Sequence, residues 1–234
     1  MINYKELEQG SIEWHEMRWK KIGGTLSKGL FVKSDTLFID ILSQYLEEFF
    51  PSESYESDAM VRGSEMEKYG FEYIEKYTGI KFEKSGWLQS QENELLGISP
   101  DGITECETIA CEIKCFGRKK HTEVLLDQEI PLENINQCVH YFTVNPKLKK
   151  LYFIAYRPES VKPFIKELTL DSLIDVGFKK KIEIEVIGKK GFPIAPKIEA
   201  VKDLKTVREC VKYTLNESEI LLKKIKENIN QLNF

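Results

Sequence analysis

Long apolar runs are missing from this 234-residue chain. None approaches the roughly 18–20 apolar residues that a membrane-spanning helix needs. Residues 1 to 10 lack the apolar centre of a secretion signal, so a cytoplasmic location and no membrane contact are expected. Cysteine is sparse and odd in number: Cys106, Cys111, Cys115, Cys138 and Cys210, five in all, none in CxxC spacing. That excludes a disulfide scaffold and a zinc ribbon and fits reduced thiols. Internal repeats, low-complexity tracts and Gly/Ser linkers are absent too, which points to a single domain over residues 1–234. An excess of positive charge is also lacking, since the net charge is −4. Any nucleic-acid role must therefore rest on local basic patches and bound metal. What remains, 41% hydrophobic and 31% charged residues, is the balance of an ordinary globular domain.

Along the chain, Trp14, Met17, Arg18 and Lys21 recur at helical spacing between Ser11 and Thr25, with Gly23-Gly24 as the stop. A helix over about 36–50 ends at Pro51, and the polar run 52–58 reads as a loop. Residues 64–77 carry an apolar stripe of Met66, Tyr69, Tyr73, Ile74 and Tyr77, closed by Gly79. Strands are expected at about 81–89, 94–99 and 108–116, with Asp101-Gly102 as a turn between the last two. Helix signals return over 132–143, then a buried strand over 151–156. The stretch 160–200 is ambiguous apart from a strand near 182–187. The end, 203–232, is helical with a break near Asn216. This order predicts an α/β fold, a mixed sheet between helices.

The chemistry concentrates in Ser99-Pro100-Asp101-Gly102 and Glu112-Ile113-Lys114. Side chains alternate along a strand, so Glu112 and Lys114 share one face and Ile113 and Cys115 the other. The apolar pair can face the core, leaving the carboxylate and ammonium at a surface that Asp101 also reaches. Two carboxylates beside a lysine suit a hard divalent cation such as magnesium, with manganese as a substitute. Such a cation acidifies water and offsets charge on a phosphate oxygen, and Lys114 would position that water or stabilise the developing charge. Taken singly, Glu-x-Lys is usually a solvated ion pair and Asp-Gly a plain turn. Together, in this order, they form the PD-(D/E)xK nuclease pattern.

More of the chain resembles one branch of that superfamily, the lambda exonucleases and related YqaJ-type phage recombinases. The similarity lies in Trp14-His15-Glu16-Met17-Arg18, Ile22-Gly23-Gly24-Thr25 and Arg62 to Glu67 with its aromatic helix. It continues through Ser99 to Gly102, Glu112 to Cys115 and the helix carrying Gln137 to Thr143, so that it spans about residues 11–158. It implies a PD-(D/E)xK restriction-endonuclease-like core, with residues 160–234 as a C-terminal elaboration and helix. Asp101, Glu112, the Ile113 carbonyl and Glu67 would bind metal, Lys114 would be catalytic and Gln137 would lie beside it. Arg18 and Thr25 would engage a 5′ phosphate. An iron–sulfur relative would carry one early and three late cysteines, unlike this chain.

Each role has a plainer reading. Ser64-x-x-Glu67 has capping-box spacing. Gln137 could be an exposed helix residue, Arg18 could pair with Glu16, and His140 reads as packed or exposed. Trp14 and Trp19 suit a core or interface. Arg118, Lys119 and Lys120 could meet a DNA backbone or simply be solvated, whereas Lys179 to Lys181 and Lys189-Lys190 read as solvated surface. The resemblance implies 5′-to-3′ digestion of linear double-stranded DNA, leaving 3′ tails. It also implies a ring-shaped homotrimer and a single-strand annealing recombinase as partner. The alternatives are a restriction- or repair-type endonuclease and a non-catalytic DNA-binding module.

Overall fold

The computed structural model describes residues 1–51, 58–176, 179–182, 197–200 and 204–232. In chain order the elements are β1 (Ile2–Tyr4), α1 (Ile12–Arg18), α2 (Lys28–Phe31), α3 (Asp35–Leu46) and α4 (Asp58–Thr78). Then come β2 (Trp87–Gln89), β3 (Gly97–Ile98), β4 (Gly102–Ile103), β5 (Ile109–Lys114), α5 (Arg118–Asp127), α6 (Leu132–Val144) and β6 (Lys150–Ala155). The last are β7 (Phe164–Leu168), β8 (Lys179–Ile182), β9 (Lys197–Ala200) and α7 (Val207–Gln231). The central sheet has the order β4-β5-β6-β7, and β1-β2-β3 form a smaller antiparallel sheet. Within the central sheet β5 and β6 are parallel, with Glu112 opposite Phe153, while β4 and β7 run antiparallel to their neighbours. The sheet is therefore mixed, as expected.

Period-two alternation sorts β5 and β6 between two layers. Cys111, Ile113, Tyr152 and Ile154 gather with Ile74 of α4 and Phe82 on one face. Ala110, Leu151, Phe153 and Ala155 join the larger core with Val139 and Phe142 of α6 on the other. Gly70 makes the α4 approach possible, because a Cβ there would stand 2.8 Å from Ile113 Cγ2. Helices thus cover both faces of the catalytic-pattern strand. All five cysteines are free. Among the described residues no helix is long and apolar enough to cross a membrane.

Several boundaries differ from the sequence reading. Helix α1 stops at Arg18, ahead of the glycines, and Lys20 takes the left-handed turn at φ 63°. Helix α3 ends at Leu46 rather than at Pro51. The 81–89 and 94–99 strands shorten to β2 and β3, with isolated bridges at Glu83 and Leu96. Gly79 does close α4, at φ 70°. Asp101-Gly102 is not the hairpin turn: Thr104 and Glu107 make it, with Glu107 left-handed at φ 62° and its amide on the Thr104 carbonyl. Gly102 instead lies in β4, where a Cβ would meet Cys111 Sγ at 2.8 Å. Helix α7 runs unbroken through Asn216, since its buried side, including Cys210, Thr214 and Ser218, packs along α2, α3 and α6. Residues 52–57 of the expected loop and all but the first residue of the 182–187 strand fall outside the described residues, as do the side chains of Lys179–Lys181 and Lys189-Lys190, while Asp58, read as the end of that loop, lies in α4.

Candidate active site

Glu112 and Lys114 do share a face of β5, but that face is closed. Glu112 is 1% exposed, under α6, so the expected surface carboxylate is a buried one. Burial of a charge is costly unless partners replace water, and Glu112 has two. Tyr141 Oη donates to its Oε2 at 2.6 Å, and the Lys114 ammonium stands 2.5 Å from Oε1, although that contact lacks hydrogen-bond geometry. Burial works against the charge on Lys114, yet Glu112 and Asp101 outweigh it and hold its pKa above the ordinary value. Lys114 is therefore an ammonium, a donor and not a base.

Asp101 precedes β4 and accepts the Ile113 amide on Oδ2 at 2.6 Å. The N–H and C=O of one strand residue leave on the same edge, so the Ile113 carbonyl also faces the Asp101 side. Burial, then the charges of Glu112 and Glu67, push Asp101 well above the usual carboxylate range. Glu67 is raised as well, by burial and by Glu112, with Lys84 pulling the other way. Ser64 lies inside α4 as its seventh residue, so the capping-box reading of Ser64 and Glu67 fails. Glu67 sits one turn before Gly70, on the side of α4 that approaches β5, and lines a cleft of about 430 Å³ with Asp101 and Lys84.

Among the described residues no three or more histidine, cysteine, aspartate or glutamate side chains enclose a metal ion as they stand. The donor set nonetheless fits a hard cation. Three carboxylates and a strand carbonyl are oxygen donors, and burial together with the negative charge of Glu112, which raises Asp101 and Glu67, is what a cation would offset.

The Arg18 guanidinium lies 3.9 Å above the Trp14 ring and beside Gly23. It has no carboxylate partner among the described residues, so the pairing with Glu16 is not made, and burial lowers its pKa. Trp14 is fixed by hydrogen bonds to the Gly86 carbonyl and Ser99 Oγ, which ties α1 to the segment leading into Asp101. The amides of Gly23, Gly24 and Thr25 have no acceptor among the described residues, and the Thr25 side chain is exposed. Trp19 bonds the Gln44 carbonyl and meets Phe49 edge-on, a packing role.

Helix α6 joins these two regions. Gln137 packs on Gly24, where a Cβ would stand 2.8 Å from Gln137 Cγ. Tyr141, one turn on and on the same face, reaches Glu112. His140 is buried with Nε2 3.0 Å from both the Ile22 and Gly97 carbonyls, and burial brings its pKa down to about 4. It is a packed residue that anchors the base of the glycine loop. By residue type Tyr141 reads as one more aromatic on a buried helix, and its one signal in the sequence is its spacing, four after Gln137. Arg118 and Lys119 are exposed at the start of α5 without ion pairs among the described residues, whereas Lys120 is held by Glu133 at 2.8 Å.

Residues 13–147 match the model of the YqaJ-like viral recombinase domain. Two solved structures share the fold along most of the chain. One is an alkaline exonuclease, LHK-Exo, from Laribacter hongkongensis, with TM-score 0.67 and 18% identity over 95% of this chain and 96% of that one. The other is LHK-Exo in complex with dAMP, with TM-score 0.67, 16% identity and the same coverage. No curated protein matches. At these identities the likeness to the solved structures is one of fold.

Proposed function

Because the chain belongs to the YqaJ-like viral recombinase domain family, a nuclease family of the lambda-exonuclease type, we propose that it digests linear double-stranded DNA from its 5′ ends. The observation that carries this reading is the grouping at the end of β5, where Asp101 accepts the Ile113 amide, Glu112 meets the Lys114 ammonium and Glu67 lines one cleft with Asp101. The donors would be Asp101, Glu112, Glu67 and the Ile113 carbonyl. A hard divalent cation there, magnesium or manganese, supplies Lewis acidity for water and phosphate oxygen. Lys114, charged and fixed by Glu112, donates to the oxygen that develops charge as the phosphodiester is cut. Gln137, packed on Gly24 and one turn before Tyr141 on α6, would orient what binds there.

Arg18, unpaired and stacked on Trp14, offers a planar fork to the terminal phosphate, with Thr25 beside it. Arg118 and Lys119 meet the backbone further along. The proposal also takes up the 3′-tailed product, the homotrimer, the single-strand annealing partner, the single domain and a cytoplasmic setting, the host's if the chain is phage-encoded. The test is end-labelled linear duplex, with and without magnesium, beside a closed circular control. Loss of label from the linear substrate alone is expected. Cutting of the circle would favour an endonuclease, and no cation-dependent hydrolysis would leave a DNA-binding module.

A further inference from the structure

The cleft that holds Asp101 and Glu67 has a second wall, the segment Lys84 to Gly86. Lys84 Nζ stands 3.9 Å from Glu67 Oε1, and 73% of its side chain is exposed. That separation is beyond hydrogen-bond length, so the pair is loose and the lysine stem is free to swing. The neighbouring lysines are committed elsewhere: Lys5 to Glu83 at 2.9 Å and Lys81 to Glu75 at 3.1 Å. Lys84 is thus an available cation poised over a candidate metal ligand, on the open side of the site. Lys114, in contrast, is pinned to Glu112 below.

We propose that Lys84 is an exchangeable counter-ion of this cleft: it neutralises Glu67 in the cation-free protein, then turns to the phosphodiester backbone of the DNA strand when a divalent cation takes Glu67. This rests on the nuclease reading. The physical reason is competition, because an ammonium and a divalent cation cannot both draw fully on one carboxylate. Occupation of Glu67 by the cation releases Lys84 at the moment when a phosphate needs a positive charge. Two effects of opposite sign follow on its removal. The cation binds more tightly, and DNA binds more weakly. A residue that merely held the cleft in shape would weaken both.

The experiment uses full-length wild type, Lys84→Met and Lys84→Arg. Calorimetric titration with Mn2+ in the absence of DNA reads the first effect, and Lys84→Met should bind the ion about three- to fivefold more tightly. Binding of a 5′-phosphorylated duplex in Ca2+ over a salt series reads the second. There Lys84→Met should lose about five- to tenfold in affinity and lower the salt slope by about one. Lys84→Arg should recover DNA affinity, since any cation on a long stem serves a backbone contact. Unchanged or weaker Mn2+ binding in Lys84→Met would overturn the counter-ion role. Unchanged DNA affinity and salt slope would overturn the hand-over to phosphate. The nuclease reading itself stands or falls separately, on hydrolysis of linear duplex by the wild type.

Discussion

Tyr141→Phe isolates one hydroxyl. The ring stays, so the apolar surface buried by this 1% exposed side chain is unchanged. What goes is a 2.6 Å hydrogen bond to a carboxylate that is itself 1% exposed. Hydrogen bonds to charged groups contribute about 1.5–3 kcal/mol, and here no water replaces the lost donor. Glu112 keeps only its contact with Lys114. A loss of about 2–3 kcal/mol is expected, or roughly 5–10 °C in Tm for a protein of this size. Urea unfolding of the cation-free protein measures it, with the buried Trp87 as a fluorescent reporter. The m-value should not change, because the same surface is exposed. Glu112→Gln completes a double-mutant cycle. With a neutral amide in place of the carboxylate, losing the hydroxyl should matter less, giving a coupling of about 1–2 kcal/mol. Tyr141→Phe within about 0.5 kcal/mol of wild type, or an equal loss in the Glu112→Gln background, would refute the reasoning. Activity gives an independent reading, since a freed carboxylate should lower kcat more than it raises KM.

Arg18→Ala should narrow the preference for 5′-phosphorylated over 5′-hydroxyl duplex, read as initial rates at fixed salt; an unchanged ratio removes Arg18 from the site. Asp101→Asn should abolish hydrolysis. The same change should also flatten a stability trend, because Asp101 is raised in the folded state. Its contribution is present below the unfolded carboxylate pKa of about 3.9 and is lost as pH rises through the folded value, so the cation-free wild type weakens with rising pH and added cation restores it. An Asp101→Asn variant with the wild-type slope would contradict this. His140 acts in the opposite sense: brought down to about 4 from 6.5, it costs stability as pH falls through that interval, roughly 3 kcal/mol in full. His140→Gln should lose that share of the acid slope in urea midpoints between pH 7.5 and 4, and an identical slope would refute the assignment.

Local signals were legible where periodicity or a stop residue decided the outcome. Residues 132–143 form α6 almost as read, 151–156 form β6 one residue earlier, and Gly79 ends α4. The candidate centre was legible through the order of Asp101, Glu112 and Lys114. Less visible was anything that tertiary contact decides. Alternation said which side chains share a face of β5, but not that α6 closes that face over Glu112. Ser64 has cap chemistry, yet the helix begins earlier, at Asp58. The expected break at Asn216 fails because packing along α7 outweighs one weak helix former. Lys84 and Tyr141 meet Glu67 and Glu112 only through the fold, 17 and 29 positions away in sequence.

Helix α6 is buried along most of its length, and one face of it touches the glycine loop at Gln137 and the strand carboxylate at Tyr141. A segment so enclosed does not fray by itself. Opening it exposes much of the core, so its amides should exchange with solvent only in openings close to global unfolding. The region around the glycine loop and the region around Glu112 are therefore lost and regained in one event. On the proposed function, partial melting would leave no molecule that grips a DNA end without the means to cut it.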